Sequence, residues 1–201
     1  MGQIMSTIAT CISAALVAFF VWRGLSAWKG QFIGKKKYEA AEDLNKAVIA
    51  WRDSIYNMRG RNEYAPFTEE EAPGASDALK DYLGLARYRA KQNETRNKAR
   101  TNVYAAVLTA EVLIGKEIRA LVDEISILDG RLSHAIGNDL ILQDPGKSEY
   151  PDKEDARASL QTNKNKELLW YSGSDDHFVK ELEAIISQLE DILRPCFDIK
   201  D

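Results

Sequence analysis

Histidine is nearly missing from this chain of 201 residues, occurring only as His134 and His177, and cysteine occurs only as Cys11 and Cys196. Neither histidine follows a carboxylate at the third position before it, so the Glu-x-x-His pairs of a di-iron bundle cannot be assembled, and no zincin motif is present. The two cysteines stand near opposite ends of the chain. That placement argues against a disulfide framework or a thiolate metal site and fits a reducing compartment. Gly34-Lys35, Gly115-Lys116 and Gly146-Lys147 lack the rest of a phosphate-binding loop, and no nucleophile elbow occurs. A formal net charge of −4 is too mild to point to nucleic acid. These absences lead to the expectation of a non-enzyme with no catalytic, cofactor-binding or metal-ligating residues. Proline is scarce too, and none occurs between Pro73 and Pro145. With Ala, Leu, Glu, Lys and Arg abundant, the composition points to an all-α protein.

The longest charge-free run lies at the start. Ile4 to Trp22 reads IMSTIATCISAALVAFFVW, nineteen residues without a charge, and roughly 20 apolar residues span a hydrocarbon core of ~30 Å. Trp22 and Trp28 stand where an aromatic belt belongs. A cleaved signal peptide is disfavoured because no Lys or Arg precedes Arg23 and bulky Phe19, Phe20 and Trp22 close the run. Met1-Gly2-Gln3-Ile4-Met5-Ser6 fits the loose myristoylation pattern, but an acyl chain is redundant beside a spanning helix. The third competitor is the buried core helix of a soluble protein, since the run is only just long enough to span. The expectation is a transmembrane anchor over residues 1–30, its span at about 4–22, followed by a cytoplasmic helical domain over 31–201. Arg23, Lys29, Lys35, Lys36 and Lys37 follow the span closely. The positive-inside rule places them at the cytoplasmic surface, where they can meet anionic headgroups. A single-pass topology with the N-terminus outside and everything after Arg23 in the cytoplasm follows.

Beyond Gly34 the apolar residues Tyr38, Ala41, Leu44, Val48, Trp51, Ile55 and Met58 recur at steps of three and four, the stripe of a helix packed on another helix. Gly30 and Gly34 predict a bend or break between this helix and the span, and Gly60 predicts its stop. Connectors are expected at about 60–76 and 143–165, both rich in turn-forming residues. Ser76 or Asp77 is placed to cap a helix, and Gly84, Asn93, Thr101-Asn102, Gly115, Gly130 and Gly137 are its weak points. If that helix folds back antiparallel, its basic stretch Arg87, Arg89, Lys91, Arg96, Lys98 and Arg100 returns to headgroup level; the plain alternative is a solvated helix face. Phe178, Leu182, Ile185, Leu189 and Ile192 form the stripe of a final helix that Pro195 ends.

Asp175-Asp176-His177 is the most suggestive polar cluster. Its functional reading is a cation or ligand site, and its structural reading is an N-cap with acids complementing the helix dipole, which is preferred. Glu111 and Glu117 read as partners of basic residues on another helix, His134 as a partly buried packing residue, and Trp51, Tyr82, Tyr104 and Trp170 as interhelical packing.

Three stretches, WKGQFIGKKKYEAAEDLNKAVIAWRDSIYNMR, LTAEVLIGKEIRALVDEI and LWYSGSDDHFVKELEAIISQLEDILRP, together resemble a family of uncharacterised bacterial proteins with one N-terminal transmembrane helix and a cytoplasmic helical domain. The resemblance implies that topology and supplies no activity. The expected fold is therefore a transmembrane helix followed by a helical hairpin or bundle with coiled-coil-like packing. Its expected role is a non-enzymatic interaction scaffold, with the lipid bilayer, a homo-oligomer and a cytoplasmic protein as partners. The runner-up is an oligomerising membrane effector or sensor; Ser13, Ala14, Ala15 and Ala18 permit close helix contact in the span.

Overall fold

The computed structural model describes residues 2–59, 64–147, 154–155, 157–158, 168–169 and 175–198, and for residues 2–15 the backbone alone. Among these residues the chain is all-α. Helix α1 spans Gly2–Arg59, α2 Asp77–Leu113, α3 Glu117–Gln143 and α4 His177–Phe197, with a 3₁₀ turn at Pro145–Lys147.

Each boundary has a local cause. Ser76 is extended and its hydroxyl accepts from the Leu79 amide at 3.3 Å, capping α2 as expected. The break between α2 and α3 falls at Gly115, one of the predicted weak points. The Ile114 and Gly115 amides both return to the Ala110 carbonyl, at 2.8 and 3.4 Å, and the chain reverses within three residues. Glu111 and Arg119 clamp that reversal with an ion pair at 2.8 Å. The loop 64–76 is held on α2 by Arg87–Glu71 at 2.6 Å, by the Lys80–Glu69 pair and by the Arg87 guanidinium over the Phe67 ring. It passes so close to Gly84 that a side-chain carbon there would meet the Ala65 carbonyl oxygen at 2.3 Å. Gly84 is thus a docking point for the loop and not a break.

The helices form an up-down-up-down bundle. Direction follows from who touches whom: Asn57 of α1 meets Gln92 of α2, and Lys36 lines the same groove as Leu113. Tyr56 bonds to Glu183 of α4, while Tyr38 sets its ring against Phe197 at 5.6 Å. Helices α2 and α4 therefore run antiparallel to α1. Arg96–Ser133 and Arg131–Glu181 fix α3 between α2 and α4, diagonal to α1. The core takes the predicted stripes of the first and last helices, Ala41, Leu44, Val48, Trp51, Ile55 and Met58 of α1 and Phe178, Leu182, Ile185 and Leu189 of α4. Leu193 is buried in place of the half-buried Ile192, and Val103, Val107 and Ala110 of α2 and a Leu/Ile/Val face of α3 complete it. Each large apolar group buried this way stabilises by about 1.5–3 kcal/mol before entropy is counted.

Pro195 does not end the final helix, which continues through it to Phe197, the missing amide being tolerated in the last turn. Three larger expectations are also corrected. First, no break occurs at Gly30 or Gly34: α1 continues through both as one helix of 58 residues, ~87 Å long. The lone glycines cost helix propensity of ~1 kcal/mol each but meet no competing turn signal. Second, α2 does not return to the start of the bundle near Arg100. It runs on to Leu113, level with Lys36, which leaves Arg100 about 20 Å further from the α1 arm. Third, His134 is exposed, its Nε2 3.2 Å from the Asn138 amide, and is not a packing residue. Trp170 lies outside the described residues.

Among the described residues no helix is long and apolar enough to cross a membrane. Residues 4–15 of the expected span have no described side chains, so its transmembrane character is not shown there.

Candidate functional site

Two regions stand apart from ordinary core packing: the arm of α1 that leaves the bundle, and the buried ionic groups inside it.

The arm begins where α1 loses its neighbours. From Leu16 to Ile33 every residue is exposed, including Trp22 at 68%, Leu25 at 60% and Trp28 at 62%. Apolar groups left open on all sides of a helix signal a surrounding that is itself apolar, or a missing partner. The charge here has one sign only, because no Asp or Glu precedes Glu39. All five residues singled out for membrane-surface contact lie on this arm or at its junction with the bundle. Arg23 and Lys29 project from the free arm. Lys35 and Lys36 share Glu39, at 4.0 and 2.8 Å, so one of these charges is compensated within the helix; Lys37 is half-buried at the rim of the bundle.

Inside the bundle, charge is used to join helices. Arg59, the last residue of α1, is 2% exposed and pairs with Asp176 at 2.8 Å. Its Nε donates to the Leu168 carbonyl at 2.8 Å, and its guanidinium stacks over Phe178 at 4.6 Å. Asp176 also accepts from the Val179 amide at 3.0 Å and so caps α4. The preferred reading of Asp175-Asp176-His177 is confirmed as a cap, at Asp176, with a buried ion pair added to it. Asp175 and His177 face outward, toward Lys180 at 3.1 Å and Glu181 at 3.8 Å. Among the described residues no group of three His, Cys, Asp or Glu could hold a metal ion.

Midway along the bundle Asp129 of α3 is fully buried, with Arg96 Nη1 of α2 3.4 Å away. Burial pushes the Asp129 carboxyl above the ordinary carboxylate range; Arg96, Arg100 and the Trp51 indole oppose that shift without cancelling it. Neither carboxylate oxygen has a hydrogen bond of ordinary geometry, nor do the facing Trp51 Nε1 and Arg96 Nε. Arg96 is held instead by Ser133 and by Asn97 at 3.2 Å, and Ser133 in turn donates to the Asp129 backbone carbonyl at 2.6 Å. Nearer the far end, Arg89 donates to the Met58 carbonyl at 2.6 Å and Gln92 to the Asn57 carbonyl at 2.7 Å. Helix α2 thereby caps the last turn of α1.

The basic stretch from Arg87 to Arg100 is therefore divided. Arg89 and Arg96 are buried between helices, and Arg87 holds the loop. Sequence reading missed Asp129 altogether. Its signal was spacing: Val122, Ile125, Asp129, Leu132 and Ile136 follow steps of three and four, with a carboxylate at a core position. Arg89, Gln92, Arg96, Ala99 and Val103 obey the same rule on α2, so polar residues carry the buried stripe over this stretch. Glu111 pairs with Arg119 as expected; Glu117 is exposed.

Comparison with known proteins adds no further constraint: no protein-family model, no curated protein and no solved structure matches the chain.

Proposed function

We propose that this chain is a single-pass membrane protein of a bacterial inner membrane, its α1 arm crossing the bilayer and its four-helix bundle standing on the cytoplasmic side as a non-enzymatic interaction scaffold. The observation that carries this reading is the arm itself. A helix exposed on every side from Leu16 to Ile33, charge-free in sequence from residue 4 to 22 and followed only by positive charge until Glu39, has the chemistry of a span and its cytoplasmic flank. About 16 residues, ~24 Å of helix, separate Trp22 from Tyr38, where α4 first meets α1. Arg23, Lys29, Lys35, Lys36 and Lys37 occupy that stretch, each worth ~1 kcal/mol when close to an anionic surface. The scaffold reading draws support from the bundle, whose buried charges engage one another or backbone carbonyls across helices and so act as joints.

An oligomerising effector or sensor is the second reading, and the unbroken α1 favours it, since a rigid helix passes rotation or displacement from the span to the bundle without a hinge. Both readings share one topology. A reporter active only in the cytoplasm, fused after Asp201, should work, and the chain should resist alkaline extraction from membranes. Neutralising Arg23, Lys29 and Lys35 to Lys37 together should scramble the orientation. A fusion active only outside the cytoplasm, or a chain released by alkaline extraction, overturns the proposal.

A further inference from the structure

We infer that a second copy of this chain docks on the open side of α1 and α2, giving a parallel two-fold dimer whose axis runs along the membrane normal. The inference rests on the membrane anchor proposed above, because an anchor that enters every copy in the same direction is what makes the pairing parallel.

The first observation is register. Leu25, Trp28 and Phe32 continue, at steps of three and four, into Lys36, Glu39 and Asp43, so they share one side of an unbroken helix. That side does not face the core, which is built from Ala41, Leu44 and Val48. The apolar stripe of the arm therefore leads directly into the next feature, a groove of about 670 Å³ between α1 and α2. Small residues such as Ala40, Ala47 and Ala106 line it. Beside it α2 turns outward two large apolar side chains, Leu108 at 62% and Val112 at 83% exposure.

The second observation is the distribution of charge. The α1 rim of the groove carries Lys36, Glu39, Asp43 and Lys46. The α2 rim carries none: every exposed residue from Thr101 to Val112 is uncharged. When two such grooves face each other across a two-fold axis, α1 of each copy lies against α2 of the other. Each charged rim then meets an uncharged one, and the like charges of the two α1 helices stay on the diagonal. The surface is complementary to itself in this arrangement, and like-charge repulsion, which costs several kcal/mol when it is close, is avoided.

Geometry rules against lipid as the occupant. The groove runs from Lys36 to Ala50, ~21 Å along the helix and away from the arm, so a bilayer could meet only its near end. A groove of this size would be a small interface for two freely diffusing proteins. Confinement of both copies to one membrane raises their effective concentration and lowers the affinity that pairing needs.

The test uses the full chain in membranes, with Cys11→Ser and Cys196→Ala removing the native thiols. Chains carrying Val112→Cys are co-expressed with chains carrying Lys36→Cys and treated with a short bifunctional maleimide. A cross-linked dimer is expected from this pair. It is not expected when Ile127→Cys, on α3 and 65% exposed, replaces Val112→Cys. Leu108→Lys with Thr109→Lys, added to the chain carrying Val112→Cys, should abolish cross-linking and leave the melting temperature of the bundle unchanged, because both side chains are already in solvent. Lysines there would favour an anionic lipid surface, so loss of the dimer also separates a protein partner from a lipid one. Equal cross-linking of Val112→Cys and Ile127→Cys, or a membrane-bound chain that remains monomeric, overturns the dimer alone. A chain recovered in the soluble fraction overturns the anchor, and the fixed parallel pairing with it.

Discussion

The two halves of α1 obey the same backbone geometry and have opposite fates. From Ala40 to Arg59 the helix buries one stripe against three other helices and shows its polar face to solvent. From Leu16 to Ile33 it buries nothing, although its side chains are at least as apolar. Helix formation therefore explains neither half. In the bundle, tertiary packing holds a one-sided helix in place. In the arm none of the described residues covers Leu25, Trp28 or Phe32. The difference places the packing that holds the bundle in the far half of the helix and leaves the near half open.

The largest effect should come from the far end of the packed half. Asp176→Ala removes a helix cap and strands the Arg59 guanidinium in a buried site. Breaking a buried pair in this way typically costs ~3–5 kcal/mol. Asp176→Asn keeps the cap and loses only the charge, so its melting temperature should fall between those of native and Ala forms. Equal melting of all three would mean that Arg59 is hydrated and the helix end loose.

A matched pair of truncations addresses the comparison directly. Leu44→Ala, at a fully buried position, should cost about 2–5 kcal/mol, while Leu25→Ala should leave thermal unfolding of the bundle where it was. Similar losses for both would show that the arm packs on the bundle. Calorimetry of the full chain in detergent measures the two on one scale.

The buried carboxyl sharpens the picture of the packed half, and its sign is fixed by burial. The folded-state pKa of Asp129 lies above its unfolded value of about 3.9. Its favourable contribution is therefore complete below that unfolded value and is lost as pH rises through the folded one. Asp129→Asn should melt higher than the native chain at neutral pH, and the gap should close toward pH ~4. A variant that melts lower at neutral pH would mean that attraction to Arg96 outweighs the desolvation of both groups. Glu39, Glu69 and Glu71 are shifted the other way, the first by its Lys36 partner and the others by backbone amides, so native stability as a whole also falls in acid. Only the difference between the two proteins isolates Asp129.

How much of this was legible depended on whether the signal was apolar. The stripe from Ala41 to Met58, the Ser76 cap, the reversal at Gly115 and the last stripe from Phe178 to Leu189 could be read from spacing, because burial of Leu, Ile and Val leaves a period in the sequence. Tyr38 was placed on the stripe and stands at its exposed end. Arg59, Arg89, Arg96 and Asp129 occupy core positions with the same period, but a hydrophobic template passes over them. Only the partner helix reveals that each charge has a counterpart. Arg100 lies further from the arm than expected for a geometric reason: α2 begins well beyond the end of α1, so that Gln92 and not Asp77 stands level with Asn57. Among the candidate site residues, the cluster after Trp22 was visible as charge alone, and the groove beside Lys36 was not visible, because it depends on which faces α1 and α2 leave open.

The smallest predicted effect is the most direct comparison of the two regions, because it makes the same chemical change in both. Gly30 in the arm and Gly130 in α3 are each exposed, helical and free of any neighbour within 4 Å of an added side-chain carbon. Alanine at either site removes backbone entropy from the unfolded chain and should favour helix by roughly 0.5–1 kcal/mol. In α3 that gain belongs to the cooperative unit, so Gly130→Ala should raise the melting temperature of the bundle by a few degrees. In the arm it belongs to a helix that unfolds apart from the bundle, so Gly30→Ala should leave that temperature unchanged while slowing amide exchange in residues 24–34. A bundle stabilised equally by both substitutions would show that α1 unfolds as one unit from end to end, and that the arm and the bundle share a single cooperative transition.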